Sequence, residues 1–194
     1  MKLLRMFSTE QAKGTAHYLD TQKKYELLRT ILYFAISLVL FVAGYIQTHS
    51  RANLLTIIAV LGCLPASKSA VSTIMYFRYK STSEKTMDEV EKHCQGLSGL
   101  YDCLFTSYKV NFSVAHLAVR GNTVCGYTEE PSFDEAAFNQ HIQDILKLDG
   151  HKEVTVKIFT DLSKYINRLE QMKELPPEEE KTAKILATIK SVIL

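Results

Sequence analysis

The sequence predicts a two-helix transmembrane hairpin followed by a small cytoplasmic α/β (α+β) domain with a mixed sheet of about four strands. Two observations support this fold class: apolar residues are concentrated between positions 30 and 77, and the rest has the composition of a compact soluble domain. The mean hydropathy of −0.04 averages these two parts. With 23 basic and 21 acidic side chains, the chain lacks the basic field that nucleic-acid-binding proteins carry, so we expect no nucleic-acid partner.

The first predicted transmembrane helix covers residues 30–46, a stretch without a charge or a proline. Seventeen residues, at about 1.5 Å per residue, cross most of a hydrocarbon core of about 30 Å. Tyr33 and Tyr45 lie near its two ends, where aromatic side chains anchor helices at the membrane interfaces. The alternative, a helix buried in a soluble core, is disfavoured because few other apolar residues remain to surround it.

The second predicted transmembrane helix covers residues 54–77, so that residues 29–80 form an antiparallel hairpin. Six lysines and arginines precede the first helix, whereas the connection contains only Arg51. Because positively charged flanks stay in the cytoplasm, both termini are expected there, with two spans across the plasma membrane.

The second helix carries a stripe of small and polar residues with one lysine. A charge inside a membrane marks an ion path or a partner contact, although a lysine can also extend its ammonium group to the interface. Small side chains let another helix approach closely. The predicted intramembrane polar and packing residues are Gly62, Pro65, Ala66, Lys68, Ser69, Ser72 and Thr73.

Residues 1–28 are expected to form a cytoplasmic amphipathic helical segment. Leu3, Leu4 and Phe7 lie beside Lys2 and Arg5, a pattern that suits either an anionic membrane surface or packing against the cytoplasmic domain.

The cytoplasmic α/β domain is assigned to residues 81–175, and a C-terminal amphipathic helix to residues 176–194. That last helix begins after Pro176 and Pro177 and docks on the domain or on another subunit. Turn residues and apolar periodicity place the elements between them. The predicted order is a helix at 86–95, strands at 101–107, 110–119 and 123–128, a helix capped by Ser132 and ending at Leu148, a strand at 153–159 and a helix at 162–172.

Two side-chain patterns predict which faces of these elements are buried. Strict alternation places Phe112, Val114 and His116 on one face of the second strand. Helical spacing predicts an inward stripe on the helix that follows Ser132, comprising Phe133, Ala137, His141, Ile145 and Leu148.

The segment FSVAHLAVRGNTVCGYT (Phe112–Thr128), within residues 84–160, resembles the NERD branch of the restriction-endonuclease-like superfamily. That branch has an Asp-His pair in one strand, then a glycine turn, then Glu-x-Lys in the next strand. Here Ala115 precedes His116, and the Glu-x-Lys region is Cys125-Gly126-Tyr127-Thr128. Because such nucleases hold a divalent metal with acidic side chains, the resemblance implies a degenerate domain that lacks the catalytic acidic motif.

Other chemistry has little support in the sequence, and we expect neither a cofactor nor a metal. The four cysteines show no C-x-x-C spacing, and neither common glycine-rich nucleotide-binding loop is present. The weak catalytic candidates are Cys125 as a nucleophile, His116 or His141 as its base, and Asp102.

The favoured function is therefore a small integral membrane protein whose non-catalytic cytoplasmic domain binds a protein partner or self-associates, as a membrane adaptor or complex subunit. Its expected partners are membrane lipids and either further copies of itself or another membrane protein. One alternative is an oligomeric pore or transport-accessory protein that uses Lys68 and the serine stripe. The other is a membrane-tethered hydrolase.

Overall fold

The computed structural model describes residues 13–50, 53–108 and 110–194, which divide into two compact units. The first unit is Leu19–Lys80, and the second joins residues 13–18 to Ser81–Leu194. The amphipathic segment predicted around Leu3, Leu4 and Phe7, and the lone basic residue Arg51 of the connection, lie outside the described residues.

Two long helices make up the first unit. Helix α1 (Tyr18–Thr48) has 31 residues and helix α2 (Leu54–Arg78) has 25. Both are long and apolar enough to cross a membrane. α1 begins well before residue 30 and has no break at residue 28, because the preceding segment is rich in leucine, lysine and glutamate, which favour helix. Asn53 caps α2 by accepting a 2.8 Å hydrogen bond from the Thr56 amide.

The second unit contains a mixed sheet and four helices. Its elements are α3 (Glu84–His93), β1 (Ser98–Thr106), β2 (Asn111–Arg120), β3 (Thr123–Tyr127), α4 (Glu135–Leu148), β4 (Thr155–Phe159), α5 (Leu162–Lys173) and α6 (Glu179–Val192). The strand order is β1-β2-β3-β4, with the first three antiparallel and β4 parallel to β3. The predicted α/β region with a mixed four-stranded sheet is confirmed.

Helices cover both faces of this sheet, so the unit has three layers. α4 and α6 cover one face, where Phe138, Ile142 and Ile185 pack on residues from all four strands. α5 covers the other face with Tyr165 and Leu169, and α3 packs beside it. The last helix therefore docks on its own domain, one of the two arrangements that its amphipathic pattern allows.

The predicted buried stripe of α4 is only partly right: Phe133, Ala137 and Ile145 pack against the core but are only partly buried, whereas Leu148 is 89% exposed and that assignment is wrong. The fully buried residues of the helix are Phe138, Ile142 and Leu146. The four-residue spacing of these larger side chains forms a better stripe, and the Phe138 ring meets Phe105 edge-on at 5.5 Å. The helix also begins later than predicted, because the side chain of Asp134, not of Ser132, accepts the capping hydrogen bond.

Candidate functional site

β1 and β2 share an irregularity at the centre of the sheet. In β1, Leu100 and Cys103 both lie on the face covered by α4 and α6, although they are three residues apart. In β2, Val114 and Leu117 share that same face and spacing. Each strand thus holds one extra residue between the two positions, while Tyr101 still pairs with His116. We call this arrangement the paired bulge.

The paired bulge changes which way His116 points. Strict alternation predicts that His116 shares a face with Phe112 and Val114, and that prediction is wrong. Ala115 and His116 are consecutive, yet both side chains lie on the α5 face, where His116 meets Tyr165. A bulge redirects side chains in this way and is common beside functional sites.

Asp102 makes the bulge in β1 with a backbone φ of 51°, the left-handed region that asparagine and aspartate tolerate better than most residues. Its buried carboxylate Oδ1 accepts hydrogen bonds from the Thr82 amide at 2.8 Å and the Thr82 hydroxyl at 2.7 Å. The same hydroxyl lies 3.1 Å from the Ala115 carbonyl oxygen. Asp102 therefore fixes the chain that enters α3 to the middle of the sheet.

His116 is completely buried between β2, α3 and α5. Its Nδ1 lies 2.6 Å from the Tyr165 hydroxyl, and its Nε2 lies 3.6 Å from the Cys94 sulfur. The Tyr101 ring packs against the imidazole with 4.4 Å between centroids. A Cβ on Gly99 would lie 2.6 Å from Nε2, so glycine is needed there to leave room for the imidazole. We call Cys94, Tyr101, His116 and Tyr165 the histidine cluster.

Burial keeps the histidine cluster neutral. It lowers the pKa of His116 to about 3 and raises the pKa of the Cys94 thiol to about 11. It also raises the pKa of Tyr165 well above its usual value. The cluster has the geometry of a nucleophile beside a base, but the thiolate that would act as the nucleophile is strongly disfavoured.

The three catalytic candidates from the sequence do not share one site. Among the described residues, the imidazole of His116 has the Tyr165 hydroxyl and the Cys94 sulfur as its hydrogen-bond partners, and neither Cys125 nor Asp102 is one of them. Cys125 lies in the apolar cluster under α5, where burial raises the pKa of its thiol and the nearby Arg168 opposes that rise.

Sequence reasoning missed the contributions of Cys94, Tyr165 and Gly99. The contact between the Tyr165 hydroxyl and His116 joins residues 49 positions apart, which no local pattern reveals. Cys94 ends α3 as its C-cap, and only the fold brings it to His116.

The positions where the resemblance expects acidic and basic groups are apolar in the structure. Ala115, Cys125 and Tyr127 belong to the cluster that packs under Tyr165 and Leu169 of α5. Within residues 13–50, 53–108 and 110–194, no group of three or more metal-ligating side chains comes together.

The low acidity of Cys94 leads to a testable prediction. At pH 8, a thiol of pKa about 11 is about 0.1% ionised, so we expect Cys94 to react with maleimide roughly a hundredfold more slowly than a free cysteine. Mass spectrometry of the labelled peptides measures this rate, with the urea-denatured chain as the control. Equal rates in the folded and denatured chains would contradict the assignment.

The stripe on α2 forms the interface with α1. A Cβ on Gly62 would lie 2.8 Å from the Ser37 hydroxyl, and Ala66 is fully buried. The Thr30 hydroxyl is hydrogen-bonded to the Ser69 hydroxyl at 2.8 Å and to the Thr73 hydroxyl at 2.9 Å.

The other members of the predicted stripe lie away from that interface. Pro65 and Lys68 are exposed, and Ser72 is half-buried. Helix α2 continues through Pro65 without ending. Lys68 therefore points to the surroundings of the hairpin instead of toward α1.

Comparison with models of protein families, with curated proteins and with solved structures finds no match to this chain.

Proposed function

We propose that this protein is a membrane-anchored, non-catalytic subunit that self-associates through the outer edge of β4. In this proposal α1 and α2 are embedded in the bilayer, and both ends of the hairpin face the cytoplasm. The apolar surface of the two helices supports the anchor, because only 17% of the most hydrophobic window of each helix is buried. An apolar surface of this extent is unfavourable in water, and lipid chains would cover it.

The filled α5 face supports a binding role over catalysis. The positions at which the resembled nucleases carry their Asp, Glu and Lys are occupied here by Ala115, Cys125 and Tyr127, which pack beneath α5. The polar group beside them, His116, is neutral because burial lowers its pKa to about 3. In the part of the chain that the structure describes, no group of three or more metal-ligating side chains comes together that could hold an ion to activate water or a phosphate.

The two edges of the sheet differ, and this difference is the observation that carries the proposal. The β1 edge is covered by the chain itself: the Leu194 amide donates to the Leu104 carbonyl at 2.9 Å, and the Tyr101 amide donates to the Gly14 carbonyl at 2.8 Å. Ile193 also forms a bridge with Phe105. Covering an edge in this way prevents another strand from pairing with it.

The β4 edge has no such cover among the described residues. Thr155 and Phe159 direct their backbone groups toward β3, where they bond Asn122 and Thr128. Strand geometry then directs the backbone N–H and C=O groups of Val156 and Ile158 outward, and the structure gives them no partner in the part of the chain that it describes. Such an edge can accept a further strand by main-chain hydrogen bonding.

Charge complementarity favours a second copy of β4 as that strand. In an antiparallel pair centred on Thr155, the exposed Lys157 of one copy lies opposite the exposed Glu153 of the other, on both sides of the two-fold axis; this register requires the turn at Lys152 and Glu153, which precedes β4, to extend the strand as the two copies pair. A pair centred on Lys157 would instead place two lysines face to face, which is unfavourable. Two copies anchored in one membrane also meet at a raised effective concentration.

The expected register makes cross-linking the sharpest test. We expect Thr155→Cys to form an intermolecular disulfide under mild oxidation in detergent, because the two cysteines would face each other across the axis with Cα atoms about 4.5 Å apart. Lys157→Cys is the matched control and should stay reduced, since its copies would be roughly 13 Å apart at about 3.3 Å per residue. Mass spectrometry of the linked peptide identifies the bond. Cross-linking of Lys157→Cys alone, or of neither variant, contradicts this register.

Native mass spectrometry of the full chain in mild detergent tests self-association itself. We expect a dimer that Glu153→Lys weakens and that the double variant Glu153→Lys, Lys157→Glu restores. A monomer at every concentration, or a complex with a different protein in place of the dimer, would overturn the proposal. Retention of the chain in membranes washed with alkaline carbonate tests the anchor separately.

A further inference from the structure

α1 and α2 contact each other in a regular register. Thr30 meets Ser69, Ser37 meets Gly62, and Gly44 meets Leu55, so that successive contacts are seven residues apart on both helices. Seven residues make about two helical turns, and this spacing is typical of helices that pack at a small angle. This register pairs each residue of α1 with a residue of α2 at the same position along the hairpin axis. Lys68 is paired in this way with Ile31.

Charged and polar groups follow the Thr30–Ser69 contact in the direction of the N-terminus of α1. Arg29 Nη2 lies 2.5 Å from the buried Glu26 carboxylate, and Arg29 Nε donates to the Ser69 hydroxyl at 3.3 Å. Gln22 Nε2 donates to the other oxygen of Glu26 at 3.1 Å. Placing such a pair at the depth of the lipid tails is costly, so the tails are expected to begin at Thr30.

The apolar part of the hairpin is consequently short. On α1 it comprises residues 31–46, which at 1.5 Å per residue measure about 24 Å. On the other side it ends at the polar turn where the Asn53 side chain caps α2. An average hydrocarbon core measures about 30 Å, and thinner cellular bilayers measure about 27 Å.

We propose that the hydrocarbon boundary runs through Thr30 and Ser69, so that Lys68 lies at this boundary with its ammonium group within reach of the lipid headgroups, and the hairpin fits a bilayer thinner than average. This inference rests on the membrane anchor proposed above. The exposed Lys68 ammonium then contacts lipid phosphates instead of lining a pore. If all of α2 up to Arg78 were embedded, Lys68 would lie about 15 Å inside the boundary, near the bilayer centre.

Labelling of one introduced cysteine at a time in the full chain, with each labelled peptide quantified by mass spectrometry, distinguishes these two depths. Val71 and Leu61 are both exposed on the surface of α2. Val71 lies outside the proposed hydrocarbon layer, and Leu61 lies at its centre. With a water-soluble maleimide on both sides of vesicles made from 14-carbon phosphatidylcholine, we expect Val71→Cys to react at least tenfold faster than Leu61→Cys. The native Cys63, which is expected to lie within the layer, should react as slowly as Leu61→Cys.

The length of the lipid chains gives a second measurement. In vesicles of 22-carbon phosphatidylcholine, the thicker hydrocarbon layer should cover residue 71, and the ratio of the two labelling rates should fall. A ratio near one in the 14-carbon vesicles, or a ratio that does not change with chain length, would overturn the proposed boundary. Release of the protein by alkaline carbonate would instead overturn the membrane anchor, so the two failures are distinguishable.

Discussion

Lowering the pH from 7 to 4 should destabilise the second unit by about 3 kcal/mol through His116 alone. Burial lowers the pKa of His116 to about 3 in the folded protein, whereas the ordinary value is 6.5. Between these values the unfolded chain binds a proton that the folded chain does not. The contribution of His116 to stability is therefore complete above about pH 6.5 and is lost as the pH falls toward about 3.

The variant His116→Asn isolates this contribution. Its amide retains a polar atom near the position of Nδ1, beside the Tyr165 hydroxyl, but it does not titrate. We expect a lower stability at pH 7 and a shallower decline toward pH 4 than in the unsubstituted protein. Hydrogen exchange of β2 peptides in the detergent-solubilised full chain, corrected for the pH dependence of intrinsic exchange, measures the difference. An equal decline in both proteins would show that His116 does not cause it.

Replacing Asp102 by alanine should destabilise the second unit by about 2–4 kcal/mol. Alanine removes the acceptor of two hydrogen bonds and leaves the buried Thr82 amide without its partner. Alanine also tolerates the backbone φ of 51° less well than aspartate does.

Asp102→Asn is the matched control for this substitution. Asparagine keeps a carbonyl oxygen in place of Oδ1 and also tolerates the left-handed region, so we expect a loss of about 1 kcal/mol. Urea unfolding of the solubilised chain gives both values. If the alanine and asparagine variants were equally stable, the hydrogen bonds to Thr82 would not be what holds this residue in place.

Local sequence patterns predicted most of the architecture because each element carries its own periodicity. The uncharged run from residue 30 predicts a helix, and the alternation in EVTVKIF predicts a strand. The structure has α1 and β4 at these places. The α4 face could not be chosen in this way, since two apolar stripes compete on one helix. The stripe with Phe138 is buried because its ring packs against Phe105 and Phe112 from distant parts of the chain.

The candidate site was less predictable than the fold. His116 was identifiable as a notable residue, but its face depends on the bulge at Asp102, and no local pattern marks a φ of 51°. Its contacts with Cys94 and Tyr165 form only when α3 and α5 pack beside each other. Helix and strand periodicities describe one element at a time, whereas the histidine cluster forms only where three elements, β2, α3 and α5, pack together.

The paired bulge also limits how this chain can change in length. Deleting the extra residue from β1 alone, near Asp102, would keep Leu100, Cys103 and Phe105 on one face but would leave Ala115 of β2 with no residue opposite it, so that the ladder there either bulges on one strand or slips by one position. A single deletion near Ala115 would likewise leave Asp102 without an opposite residue. The simultaneous loss of one residue from each strand preserves both the register and the faces. Related sequences should therefore gain or lose residues at these two places together, even though the positions are far apart along the chain.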